Sequence, residues 1–191
     1  MKKFIVLTIS LLLLSIHGLN AQEDPTSKPA YRFFNEYGLF AGRASFGIAG
    51  IFVNGVEIDQ THFVGIGTGY DVGLLEGQGI PLFLNYRYFF DKGYKMKPFM
   101  NMALGTRWAS WKEYQVFRDE DGHYYTEPFC RYKREGLGIY STFGVGFTLK
   151  AFSFTTSIYY RARPEVKVSP DQVIDGMRHC TGMEIKVGFS L

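Results

Sequence analysis

The stretch from Gly136 to Arg163, GLGIYSTFGVGFTLKAFSFTTSIYYRAR, decides the fold. Its first arm places Leu137, Ile139, Phe143, Val145, Phe147 and Leu149 on one face, and Gly138, Tyr140, Thr142, Gly144, Gly146 and Thr148 on the other. The second arm repeats the pattern, with Phe152, Phe154, Ile158 and Tyr160 opposed to Ser153, Thr155, Ser157, Tyr159 and Arg161. Alternation with a period of two is the signature of a β-strand. A tight turn near Lys150-Ala151 joins the arms. Each arm approaches the roughly 9–11 residues of a tilted transmembrane strand. The face of Gly, Ser and Thr carries few charges and makes a poor soluble surface. Turned inward, with the bulky apolar face toward lipid, the same pattern is that of a membrane barrel.

The rest of the chain follows this reading. Lys2 and Lys3, the apolar run Phe4–Ile16 and Leu19-Asn20-Ala21 form a secretory signal, residues 1–21, cut before Gln22. The apolar run is shorter than the roughly 20 residues of a membrane-spanning helix. No later stretch is a helical span candidate, so the mature chain is secreted or crosses a membrane as strands. The formal charge of +3 includes Lys2 and Lys3, and no acid lies in residues 1–21, so the mature chain carries +1. That near-neutral balance gives no reason to expect nucleic-acid binding. Cys130 and Cys180, an even pair in an exported chain, suggest one disulfide.

Residues 22–34 are polar at the start, hold two prolines and read as a flexible lead segment. The barrel domain is then residues 35–191. Strands are expected over Asn35–Gly42, Phe46–Val53, Thr61–Val72, Ile80–Phe90 and Met96–Ala109, then the two arms quoted above, and last Thr181–Leu191. Asn54-Gly55 reads as a turn dipeptide. Asp71–Gly79, Ser110–Glu135 and Pro164–Arg178 read as loops. The result is an all-β, eight-stranded antiparallel up-and-down transmembrane β-barrel with short turns on one side and long loops on the other. Gly65, Gly67 and Gly69 lack the G-x-G-x-x-G spacing of a nucleotide loop and fit the inner wall of a narrow barrel better.

The stretches HFVGIGTGYD (His62–Asp71), IPLFLNYRYFF (Ile80–Phe90), KPFMNMALG (Lys97–Gly105) and the closing EIKVGFSL resemble the small outer-membrane β-barrel proteins of the Bacteroidetes type. That resemblance implies an outer-membrane location, contact with outer-membrane lipid and commonly no assigned biochemical role. The last strand also resembles the signal read by the barrel-insertion machinery, with Leu191 in place of a terminal aromatic residue and Phe189 on the same face.

For chemistry, the strand faces put Arg87, Arg107, Arg161, Glu184 and Lys186 inside the barrel. Charges in a narrow lumen must be paired or hydrated. The expectation is a polar plug with a structural or surface-contact role for the protein; the alternative is a small-solute or anion channel or a ligand-binding barrel. A lipid-modifying enzyme is the third reading. Only His62, His123 and His179 are available as bases in the mature chain, and His179-Cys180-Thr181 does not resemble the His-x-Ser pattern of lipid A deacylase barrels. No enzymatic activity, cofactor or metal is expected; RDEDGHYY (Arg118–Tyr125) reads as a solvated acidic turn. In the long outer segment, Tyr114, Phe117, Tyr124, Tyr125 and Tyr132 suit a contact surface for an envelope or extracellular partner, or equally an interface girdle on strands that extend above the membrane. The protein is expected to be a monomer.

Overall fold

The computed structural model describes residues 29–42, 45–58, 60–74, 77–90, 95–118, 124–169 and 172–190, with side chains excepted at 45, 112–118, 124–134, 165–169 and 172–175. Eight strands run in chain order: β1 Ala30–Gly42, β2 Ser45–Ile58, β3 His62–Gly73, β4 Gly77–Phe89, β5 Met96–Arg118, β6 Tyr124–Leu149, β7 Phe152–Ser169 and β8 Gln172–Ser190. Each pairs antiparallel with the next, and β8 pairs with β1, so the sheet closes into an eight-stranded up-and-down barrel. Closure leaves no free edge around the barrel wall, which lipid could not hydrogen-bond.

Orientation follows the alternation. Leu84, Leu104, Ile66, Ile158, Met183 and Val187 face outward, at 58–66% exposure. Asn85, Asn101, Thr142, Thr155, Ser157 and Glu184 face inward and are buried. This is the reverse of a water-soluble barrel and suits a hydrocarbon surround. The outer surface is also banded. Near one rim, Tyr31 donates to Asn54 Oδ1 at 2.6 Å, and His62 Nδ1 lies 2.8 Å from the Tyr86 hydroxyl. Near the other, Tyr70 donates to Gln78 Oε1 at 2.5 Å, and the Tyr160 hydroxyl lies 2.7 Å from His179 Nδ1. Amphipathic rings at both edges of an apolar band form aromatic girdles.

Three features differ from the sequence expectation. β1 starts at Ala30, so the first part of the barrel wall includes residues assigned to the lead segment. Asn54 and Gly55 are not a turn. They lie inside β2, where Asn54 accepts the Tyr31 hydroxyl and Gly55 leaves room for the Phe63 ring; a Cβ there would stand 2.7 Å from Phe63 Cζ. The turn comes later, beside Gln60, whose φ is 58°.

The third difference is the largest. The segments read as loops are mostly strand. β3 runs through Asp71 to Gly73, and the β5–β6 ladder continues up to Arg118↔Tyr124 with one irregularity between Tyr114 and Val116. The β7–β8 ladder continues to Ser169↔Gln172. A two-stranded ribbon standing clear of the barrel is wet on both faces, so it needs no apolar alternation and leaves little pattern to read. Pairing between β6 and β7 ends at Ile139↔Ala162. Pro164 follows in β7 and has no N–H to offer a ladder. Two separate ribbons therefore rise above the rim that carries the β1–β2, β3–β4, β5–β6 and β7–β8 connections. The short Lys150-Ala151 turn at the opposite rim is as expected, with Lys150 at φ 53°.

If the apolar band faces hydrocarbon, depth should set the cost of a charge on it. Leu104→Arg, at mid-band, should lower the unfolding free energy of the vesicle-inserted protein by about 2–4 kcal/mol, against about 0–1 kcal/mol for Leu74→Arg beyond the end of β3. Denaturant titration in lipid vesicles reads the difference.

Candidate functional site

The interior is filled by clusters of ion pairs and aromatic rings. At the rim where β1 begins, Arg32 Nε sits 2.6 Å from Glu57 Oε2. Above that pair lie the rings of Phe34, Phe63, Phe89 and Phe99, each 0–1% exposed. Phe34 meets Phe63 edge-on at 4.9 Å between centroids, and Phe89 meets Phe99 at 5.4 Å.

Arg87 rests on this aromatic layer, its guanidinium carbon 4.0 Å from the Phe34 centroid and 5.2 Å from that of Phe99. Its Nη1 donates to Glu36 Oε1 at 2.9 Å and its Nε to Asn85 Oδ1 at 3.1 Å. Asn85 in turn donates from Nδ2 to Asn101 Oδ1 at 2.8 Å. Glu36 Oε1 also accepts from Thr155 at 3.2 Å and from Ser153 at 3.4 Å, tying β1 to β4 and β7 across the lumen.

A second cluster is centred on Glu184. Lys186 Nζ donates to its Oε1 at 2.5 Å, and Arg161 Nη2 donates to its Oε2 at 3.4 Å. The Arg161 guanidinium lies 4.1 Å from the Phe40 centroid and 4.4 Å from that of Tyr159. A third pair stands nearby: Arg107 clasps the Asp71 carboxylate, with Nε 2.9 Å from Oδ2 and 3.1 Å from Oδ1, and Nη2 on Oδ1. Further up β7, Arg163 lies 4.3 Å from the Trp111 ring. A buried cation on an aromatic face is stabilised beyond its ion pair by about 0.5–2 kcal/mol.

The wall makes room for these chains through glycine. A Cβ at Gly79 would strike the Arg107 guanidinium, with Nη2 at 2.6 Å. One at Gly146 would meet Phe99 Cζ at 2.6 Å, and one at Gly188 would meet Glu36 Cγ at 2.7 Å. Gly65 and Gly67 line the inner face of β3 against the rings of Phe63 and Phe83, as a wall reading of the glycines requires.

Arg87, Arg107, Arg161, Glu184 and Lys186, picked out from the sequence, are all inside and nearly fully buried. Glu184 accepts from both Arg161 and Lys186. A two-point fork joins Arg107 to Asp71, from Nε to Oδ2 and from Nη2 to Oδ1. Asp71 falls where the expected third strand overlaps the expected loop, and Glu36 carries no expected role. Yet Glu36 has the parity of Phe34 and Phe40, and Asp71 that of Gly65, Gly67 and Gly69, which was the available signal.

Tyr114, Phe117, Tyr124, Tyr125 and Tyr132 lie in the β5–β6 ribbon, with Tyr114 opposite Arg131, Phe117 opposite Tyr125, and Tyr132 opposite Glu113. Their side chains lie outside the described set, as does His123. The Cys130 side chain is outside it too. Cys180 pairs with Arg161, and Arg161 with Tyr140. Cys130 lies ten positions further along β6, so a bridge requires the ribbon to fold back by about 30 Å at ~3.3 Å per residue. Among the described residues, no group of three His, Cys, Asp or Glu side chains is placed to hold a metal ion. His62 and His179 stand on the outer surface, each beside a tyrosine hydroxyl.

No protein-family profile matches the sequence, and neither does any curated protein. Among solved structures the fold is similar to Neisserial surface protein A, with a TM-score of 0.52, 12% identity, and coverage of 86% of this chain and 98% of that one. It is also similar to the N-terminal β-barrel domain of Pseudomonas aeruginosa OprF, with a TM-score of 0.46, 12% identity, and coverage of 84% and 97%. At such identities the likeness is one of fold: a closed eight-stranded antiparallel barrel.

The Arg107–Asp71 fork should behave as a buried pair. Asp71→Asn strands a buried guanidinium and should cost about 3–5 kcal/mol. Adding Arg107→Met should recover most of it, as read by a double-mutant cycle in denaturant unfolding.

Proposed function

We propose that this protein is a monomeric barrel of the outer membrane whose interior is a plug rather than a pore, and whose role is structural or exercised through its two projecting ribbons. The observation that supports this most directly is the state of the interior charges. Glu36, Asp71, Arg87, Arg107, Arg161, Glu184 and Lys186 are all 2% exposed or less, in a stack that begins on four phenylalanine rings. An eight-stranded barrel is just wide enough for side chains to fill it, and paired charges pinned to aromatic faces have no reason to part for a passing ion.

The outer-membrane placement rests on the apolar band, the two girdles and the secretory signal read from the sequence. The Bacteroidetes-type resemblance of the quoted strands supports the same placement. Contact with outer-membrane lipid follows from it, as does handling by the barrel-insertion machinery. In this arrangement the ribbons of β5–β6 and β7–β8 face the exterior of the cell and carry Tyr114, Phe117, Tyr124, Tyr125 and Tyr132 to any envelope or extracellular partner. No catalytic role is part of the proposal: the two described histidines lie on the lipid-facing surface, apart from the interior carboxylates.

Purified protein in planar bilayers should give no stable conductance steps. A reproducible current abolished by Arg107→Ala would overturn the plug. Protease added to intact cells should trim residues 112–134 and leave the barrel, whereas full protection of that ribbon would overturn the outward placement. Lipid A mass profiles with and without the protein should be identical; a mass change tied to its presence would make it an enzyme.

A further inference from the structure

Among the described residues, Glu36 Oε2, Thr142 Oγ1 and Ser157 Oγ are buried inside the barrel without a hydrogen-bond partner in the protein. Their residues are 1%, 3% and 3% exposed. The register brings them to one seam. The Glu36 carboxylate reaches β7, where its Oε1 accepts from Thr155 at 3.2 Å. Ser157 is the next inward residue on β7, and its ladder neighbours are Gly144 on β6 and Glu184 on β8. Thr142 is the next inward residue after Gly144 on β6, opposite Tyr159. Hydroxyls thus climb from the Glu36–Arg87 cluster to the level of Glu184.

A buried polar atom left without a partner bears its full desolvation cost, and three along one seam call for a small guest. The carboxylate oxygen needs a donor, while the two hydroxyls can give or accept. A metal cation would sit beside Arg87, already 2.9 Å from the other Glu36 oxygen, and close to Lys186, the ladder neighbour of Thr155. An anion would face Glu36 and Glu184. A neutral molecule that both donates and accepts meets every requirement, and buried water commonly makes about three such bonds.

We propose that this seam is an internal hydration site: a short file of ordered water bonded to Glu36, Ser157 and Thr142 that connects the Glu36–Arg87 cluster with the Glu184–Lys186–Arg161 cluster. The phenylalanine layer closes it toward the rim where β1 begins. The site is independent of the conductance reading, because a closed water file passes no current.

Water–protein cross-relaxation measured by nuclear magnetic resonance on the mature barrel in lipid nanodiscs tests this. Long-lived water contacts are expected at Thr142, Thr155 and Ser157. Thr142→Val and Ser157→Ala should each lose the local contact, and Thr142→Ser, which keeps the hydroxyl, should retain it. Heat-dependent gel mobility checks that each variant is folded. Absence of long-lived contacts in the parent would overturn the proposal. So would contacts that survive both hydroxyl deletions, or a shift of these resonances on exchanging sodium for potassium, which would assign the seam to a cation.

Discussion

The width of an eight-stranded barrel governs this molecule. The lumen admits one layer of side chains at a time, so every large residue that enters must be met by bare wall. Arg107 lies against Gly79, Phe99 against Gly146, Phe83 against Gly67, and Glu36 against Gly188. With water largely displaced, a charge inside has to find its opposite within reach, and Asp71, Glu36 and Glu184 supply it. Packing and electrostatics are therefore one problem here. Arg87 and Arg161 each sit over an aromatic ring while donating to a carboxylate, and Arg107 grips Asp71 with Gly79 behind it.

The same parity that fills the interior sets the exterior. Because successive residues point to opposite faces, a strand that turns Asn85 and Arg87 inward must show Leu84 and Tyr86 outside. Soluble proteins use this rule to hide the apolar face. Here the polar face is hidden and the apolar one is exposed, which suits a surround that does not form hydrogen bonds.

How far the sequence could be read follows from where that parity is enforced. In β4, β6, β7 and β8 both environments are strongly one-sided, and the inward positions of Arg87, Tyr140, Arg161, Glu184 and Lys186 are plain from alternation alone. β2 was harder because FGIAGIFV is apolar on both faces: Ile51 and Val53 join the interior packing, while Phe46 and Ile48 face out. Further along β5 and β6 the sequence alternation fades, and Ser110–Glu135 reads as a loop although its described backbone is mostly ladder. The pairing of charges was not legible either. Arg107 and Asp71 are separated by 36 positions and meet only because β4 lies between their strands in the closed sheet. Asn54-Gly55 shows the opposite failure: a strong local turn preference yielded to a ladder continuing on both sides.

The glycine sockets also constrain how such a chain can drift. On the outer apolar face, one aliphatic residue can replace another with little consequence, since the glycine sockets named above open inward. Inside, a methyl group added at Gly79 is tolerable only if position 107 shrinks, and a smaller residue at 83 leaves a void unless 67 grows. Homologous barrels should therefore diverge freely on their outer skin while their inner positions change in matched couples, so the record of ancestry would be kept where no solvent reaches.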